Sequence, residues 1–250
     1  MKINILNIGI NKIGLEEILA KISEWLSSDG QRYIATVNPE FVLAAQKNEE
    51  FKKVLNEADL AICDGAGLVW AGRFLRGEKL IRVTGVDLAE ELLHCHIATL
   101  SHYQFFLLGG AEGVAQAVKN IFPDSPIVGA QAGGRIDENT YLLDNNDELI
   151  RQINAGSANI LLVAFGQVKQ EMWISKNLAK MPGVKVAIGV GGTFDYLSGK
   201  VKRAPETWRR LGLEWLYRLM REPRRFGRIW NATIVFGWRI IKQKFLISNF

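Results

Sequence analysis

Residues 105–118 read FFLLGGAEGVAQAV. A run of large apolar side chains stops at Gly109 and Gly110, and a stretch of helical period follows. That order describes a buried strand, a tight turn and the first turns of a helix. The same unit recurs along the chain. Apolar runs rich in Ile, Val, Leu and Phe occupy 3–8, 33–37, 60–63, 104–108, 127–128, 160–165 and 184–190. Helical period marks 15–26, 41–55, 88–97, 114–121 and 149–154. Strands that are apolar throughout, alternating with helices, predict an α/β fold: a Rossmann-like, mainly parallel sheet with helices on both faces. There is no internal repeat, low-complexity segment or Pro- or Ser-rich linker. The pattern predicts one α/β core over 1–198 and a basic, helical C-terminal appendage over 199–250.

Composition agrees with a folded protein. The 250 residues are 48% hydrophobic and 23% charged, enough for one large domain with a sizeable core. Cys63 and Cys95 lie in apolar surroundings and read as reduced core residues of a cytosolic protein. The opening MKINILNIGI lacks the apolar core and cleavage site of a secretory signal. The uncharged window 92–111 contains three histidines and a Gly pair, so it reads as a helix end, a turn and a buried strand rather than a membrane span. His94, Cys95, His96 and His102 fall short of a zinc site, which needs about four ligands at compatible spacing.

Charge is placed unevenly. From Lys200 onward 13 Lys and Arg face 3 Glu, a balance of +10 within a chain whose net charge is +5. A mildly acidic body therefore carries a strongly basic tail, which points to a polyanionic partner, either an anionic membrane surface or nucleic acid.

In an open parallel sheet, ligands gather outside the carboxyl ends of the strands. Five such ends carry small, polar or charged residues: TVNPE, DGAG, LGGAEG, FGQVKQE and GVGGTFD. Gly109 and Gly110 let the backbone approach a phosphate, or simply make a tight βα turn; neither G-x-G-x-x-G nor a P-loop lysine is present. Gly191, Gly192 and Thr193 could cradle a second phosphate or a sugar edge. Asp64 exposes a carboxylate suited to taking a proton from a hydroxyl nucleophile, unless it only makes an Asp-Gly turn. Thr36 and Asn38 suit sugar hydroxyls, while Glu40 is equally at home beginning a helix. No D-x-D pair is available for a nucleotide's divalent ion, so no metal or other cofactor is expected, and cations of the chain would balance a diphosphate.

The tail contains LEWLYRLMREPRRFGR at 213–228, both greasy and cationic. Arg218, Arg221, Arg225 and Arg228 follow one helical stripe, and Pro223 divides it into two helices that could turn arginines over the crevice. Arginine's planar fork suits phosphate oxygens. Beyond it, Trp230, Ile234, Trp238 and Ile241 alternate with Arg239, Lys242 and Lys244, the pattern of a helix lying in a membrane interface. A solvated charged helix is the plain alternative. Nucleic acid is disfavoured, since no reading motif is present and the acidic body would repel a long backbone.

TVNPE, DGAG, RVTGVDL, FLLGGAEG, FGQVKQE, GVGGTFDYLSGKVKRAP and GLEWLYRLMREPRRFGR together closely resemble the WecG/TagA/CpsF family, glycosyltransferase family 26, over nearly the whole chain. The resemblance implies an inverting glycosyltransferase. It would move a hexose, with N-acetylmannosamine as first expectation, from a UDP-sugar to a polyprenyl-diphosphate-linked N-acetylglucosamine acceptor. It would act as a peripheral protein on the cytoplasmic face of the cell membrane, in cell-wall or surface polysaccharide synthesis. Relatives use N-acetylmannosamine uronic acid or other hexoses, and tend to self-associate through the core. Asp64 corresponds to the family's proposed general base, and Thr36 to a residue that binds donor or positions reactants. Arg82, Asp87, Gln167, Gln170 and Glu171 fall in pocket motifs. Arg218, Arg225 and Arg228 match arginines that stabilise the leaving UDP in place of a metal. One departure is Val168, where the family usually has Pro. Two other classes compete: a nucleotide-dependent oxidoreductase, which lacks its G-x-G-x-x-G fingerprint here, and a non-catalytic membrane binder.

Overall fold

The computed structural model describes residues 1–94 and 103–248. Its centre is a six-stranded, fully parallel sheet in the order β4-β3-β8-β7-β5-β6. The strands are β3 (Arg32–Val37), β4 (Leu60–Cys63), β5 (Phe105–Gly109), β6 (Ile127–Gln131), β7 (Ile160–Ala164) and β8 (Val186–Gly189). Successive side chains point to opposite faces. Ala35, Val37, Leu161, Val163 and Ala187 enter one core cluster, while Ile34, Ile62, Leu162, Val186 and Ile188 enter the other. Both faces are covered, which is why these strands read as unbroken apolar runs.

The first predicted strand, 3–8, is instead a hairpin. β1 (Lys2–Ile5) and β2 (Ile8–Asn11) pair antiparallel in their own small sheet. The turn residues Leu6 and Asn7 have φ of 48° and 63°, the left-handed backbone that a two-residue hairpin demands. Gln46 Nε2 donates to the Leu6 carbonyl at 2.8 Å and the Leu6 N–H donates to Gln243 Oε1 at 3.2 Å, so this unusual leucine is held from both sides.

Helices cover the two faces unequally. Packed into the first cluster are α2 (Pro39–Ala45), α3 (Glu49–Glu57), α4 (Ala66–Arg76), α7 (Asn146–Ala155) and α8 (Lys169–Asn177). The second receives α1 (Leu15–Leu26), α5 (Gly85–His94), α6 (Val114–Ile121) and the short α9 (Thr193–Leu197). The expected helix over 41–55 is two, because Asn48 accepts the Phe51 N–H and caps a new start. Residues 95–102, with Cys95, His96 and His102, lie outside the described residues; Cys63 is buried and unpaired. α2 leaves β3 toward the first cluster, and α9 leaves the adjacent β8 toward the second. Neighbouring strands whose connections part to opposite faces leave a crevice between them, the place where such sheets bind ligands.

The C-terminal segment folds across that crevice as α10 (Glu206–Arg210), α11 (Glu214–Arg221), a 3-10 turn at Pro223–Arg225, α12 (Phe226–Trp230), a π-helical stretch Asn231–Val235 and α13 (Phe236–Ser248). Pro223 starts the new turn, as its missing N–H allows. Phe236 and Ile240 are fully buried in the first cluster, so α13 completes that side of the core against α4.

Candidate functional site

A cavity of about 580 Å³ opens at the carboxyl ends of β4, β3, β8 and β7, and the C-terminal segment forms its far wall. Thr36, Asn38, Asp64, Arg82, Gln167, Gly191, Gly192, Thr193, Arg218 and Arg228 all line it. Loops 132 residues apart in sequence are thus brought within one small space.

Asp64 follows β4 directly. Its N–H donates to the Val37 carbonyl at 2.7 Å, and its carboxylate accepts the Gly85 N–H at 3.3 Å. Burial pushes the carboxyl up to about 7. The Gly85 N–H and the Arg82 guanidinium oppose that rise, whereas Glu214 and Asp87 add to it. A carboxyl poised near neutrality can accept a proton from a hydroxyl.

Thr36 donates from Oγ1 to the Gly189 carbonyl at 2.7 Å, bridging β3 and β8 at the crevice. Asn38 Oδ1 accepts the Glu40 and Phe41 N–H groups, so this side chain caps α2 while facing the cavity. Gln167 contributes a buried Oε1 that has no partner among the described residues. Next to it Val168 takes φ of 69°, a strained setting for a β-branched residue at the one place where the chain departs from the resembled pattern. Proline could not adopt that angle.

Gln170 and Glu171 are fully buried behind the wall rather than in it. Gln170 Oε1 accepts the Gly191 N–H at 2.9 Å and its Nε2 donates to Glu171 Oε1 at 2.6 Å. The pair thereby fixes the Gly191–Gly192 loop from beneath. Burial raises the Glu171 carboxyl to about 8, with the Gln170 hydrogen bond opposing. There is room for it only because residue 189 is glycine, where a Cβ would stand 2.6 Å from Glu171 Oε1.

Asp87 also sits behind the lining. Burial alone would raise its carboxyl, but hydrogen bonds from Thr84 and Arg203 prevail and hold it below the usual range. Arg203 Nη2 meets Asp87 at 2.5 Å and its Nε lies 3.7 Å from Glu214, which in turn accepts from Arg82 Nη2 at 2.7 Å. Arg82 further donates to the Arg209 carbonyl at 3.0 Å. An alternating chain of charges therefore staples α11 to the segment between α4 and α5, whose Arg82 pairs alongside Cys63, the residue before Asp64.

Of the tail arginines, Arg218 rests over the Tyr196 ring at 5.2 Å beside the Gly192 loop. Arg228 forms an ion pair with Glu40 at 2.6 Å. The side chain of Arg225 lies outside the described residues. Gly109 and Gly110 stand apart from the Asp64 cavity. A Cβ at Gly109 would fall 2.6 Å from the Ala164 carbonyl oxygen, so its glycine serves close packing of β5 on β7. Gly110 borders a second cleft of about 810 Å³ with Arg135, Asp137 and Lys169.

Sequence reasoning did not single out Arg203 and Glu214, although both stand inside quoted motifs, nor the cavity-lining Trp70, Tyr196 and Trp215. Among the described residues no cluster of His, Cys, Asp or Glu is arranged to hold a metal ion, and no helix is long and apolar enough to cross a membrane.

The chain matches the glycosyl transferase WecG/TagA/CpsF family over residues 3–249. It is also similar to N-acetylglucosaminyldiphosphoundecaprenol N-acetyl-beta-D-mannosaminyltransferases of Staphylococcus aureus strains MRSA252, MW2 and NCTC 8325 / PS 47. Each is 29% identical over 249 residues, spanning 97% of this chain and 93% of theirs.

Proposed function

Because the chain belongs to the WecG/TagA/CpsF family and is a glycosyltransferase, we propose that it moves N-acetylmannosamine from a UDP-sugar to N-acetylglucosamine carried on a polyprenyl diphosphate. The observation that carries this reading is one cavity whose walls include the Asp64 carboxyl, with its proton affinity raised to near neutrality, together with Arg218 and Arg228. Asp64 takes the proton of the acceptor hydroxyl as its oxygen attacks the anomeric carbon from the face opposite the nucleotide. The bond to UDP breaks, its electron pair goes to the diphosphate oxygen, and configuration inverts. Arg218 balances the charge that develops on that oxygen, and Arg228 meets the diphosphate of the acceptor. Thr36, Asn38 and the Gln167 Oε1 hold sugar hydroxyls, and the Gly191–Gly192 loop admits the donor phosphates closely.

The membrane reading draws on the same segment. Trp230, Ile234 and Trp238 are exposed among Arg239, Lys242 and Lys244, as suits a helix lying on an anionic lipid surface. The body over 1–198 would bind the nucleotide sugar, with the segment from 199 onward completing the site at the membrane. The test offers the purified protein a panel of UDP-sugars with a lipid-diphosphate N-acetylglucosamine acceptor and identifies the product by mass. A disaccharide containing N-acetylmannosamine supports the assignment. Transfer of glucose or of the uronic acid would reassign the donor, and no transfer from any UDP-sugar would overturn the reading.

A further inference from the structure

The cavity has two chemically different ends. Toward β7 and β8 its wall is the glycine loop, Gln167 and Arg218; toward β4 it is Gly67, Trp70, Ile229, Ala232, Phe236 and Gly237. We propose that this apolar arm, between α4 and the C-terminal helices, seats the first isoprene units of the acceptor's polyprenyl chain. The inference rests on the reading of the protein as a transferase to a lipid-linked diphosphate and adds where the lipid goes.

Three observations carry it. The arm's wall sets the small residues Gly67, Ala232 and Gly237 among the larger Trp70, Ile229 and Phe236. A Cβ at Gly67 would stand 2.8 Å from Pro39, whereas one at Gly237 would meet nothing within 4 Å, so open space lies before Gly237. The wall also contains the π-helical stretch Asn231–Val235, from which Ala232 and Thr233 line the cavity. Such wide turns recur at functional sites. Here the Thr233 hydroxyl donates back to the Ile229 carbonyl at 2.7 Å and leaves its methyl group as the remaining contact surface.

Secondly, a cation stands in the same cavity next to the arm. Arg228, one residue before Ile229, pairs with Glu40 on an exposed side chain that can exchange that partner for a diphosphate. Hydroxyl at Asp64, diphosphate at Arg228 and hydrocarbon in the arm is the order of groups in a sugar-diphosphate-prenol. A membrane phospholipid carries a phosphodiester in place of that diphosphate.

Thirdly, the arm opens onto an aromatic surface. Trp70 stacks on Phe74 with ring centres 5.2 Å apart, and both are exposed on α4, the helix against which α13 packs; Trp230, Ile234 and Trp238 are exposed on the C-terminal segment. Tryptophans of this kind sit at the level of lipid headgroups. A prenyl chain can therefore pass from bilayer to arm without crossing water.

The test uses the full chain with Gly237→Leu, whose side chain starts in open space and which favours the helix over glycine. Transfer is measured with two acceptors, N-acetylglucosamine diphosphate bearing either a polyprenyl chain or a propyl group. One or two methylenes expelled from an apolar pocket are worth about tenfold or more, so the preference in kcat/KM for the prenyl acceptor should fall by that factor. An unchanged preference would overturn the proposal. Should neither acceptor be glycosylated by the unmodified protein, the functional reading fails on its own account. Placement is then read separately, with a prenyl diphosphate carrying a diazirine on its first isoprene. Cross-links to peptides spanning 67–74 or 229–237 that disappear in Gly237→Leu support the arm; cross-links elsewhere sink it. Loss of binding to phospholipid vesicles free of acceptor would assign the arm to bulk lipid instead, and also defeat the proposal.

Discussion

Arg82 Nη2 and Glu214 Oε2 lie 2.7 Å apart, although 132 residues of chain separate them. Their side chains keep only 24% and 17% of their exposure. Arg82 approaches from the connection between α4 and α5, Glu214 from the start of α11, and Arg203 adds a second cation 3.7 Å from the same carboxylate. The contact fixes the tail's position relative to Asp64 without touching Asp64 itself.

Glu214→Ala leaves Arg82 and Arg203 facing each other with no carboxylate between them. Breaking a buried pair costs about 3–5 kcal/mol, and residual water contact here lowers the figure to roughly 2–4 kcal/mol. For a chain of this size the melting temperature should drop by about 4–16 °C. Transfer should fall as well, and Glu214→Asp should recover part of both. Thermal melts and product formation check the two effects.

Asp64 predicts the pH profile. With its carboxyl at about 7, transfer should rise as pH increases through that value and level off above it, because only the ionised form accepts a proton. Asp64→Asn should lower turnover by about 100-fold or more while leaving vesicle binding unchanged. A flat profile for the unmodified protein across neutrality would remove Asp64 as the base.

Glu171 makes a prediction about stability. Its folded value of about 8 exceeds its ordinary 4.5, so the folded state holds this proton more tightly than the unfolded state does. The stabilisation is complete below 4.5 and is lost as pH rises through 8. Glu171→Gln, which cannot ionise, should flatten the decline of melting temperature over that window. An equal decline in both proteins would show that Glu171 is not its source.

Arg228 separates catalysis from folding. Its ion pair with Glu40 is 54% exposed on the arginine side, and pairs of that kind contribute about 0–1 kcal/mol. Arg228→Ala should leave the melting temperature within a few degrees and yet lower transfer at least about tenfold. A comparable loss in Arg228→Lys would point to the fork of the guanidinium rather than its charge.

The sheet was readable from sequence because both its faces are buried, so each strand appears as an apolar run. The hairpin at residues 2–11 was not. Its turn uses Leu6 at positive φ, a residue that carries no turn signal and is held there by Gln46 and Gln243 from elsewhere in the chain. The site divides in the same way. Asp64, Thr36 and Gln167 stand where the ends of parallel strands must open a crevice, and local pattern reveals such places. Glu214 and Arg203 do not announce themselves, because an arginine in a basic tail looks like every other until its carboxylate is known. Gln170 and Glu171 lie one turn behind the surface, a depth that spacing along α8 does not report.

Phe236 and Ile240 occupy fully buried positions beside α4, yet they follow every described strand. During synthesis, the described strands therefore leave the ribosome before the segment that roofs the cleft does. A nascent chain carries its carboxylate in an open trough with a greasy flank uncovered. A chain that stops before α13 lacks Phe236 and Ile240, leaves that flank of the core bare and becomes a target for chaperones and proteases.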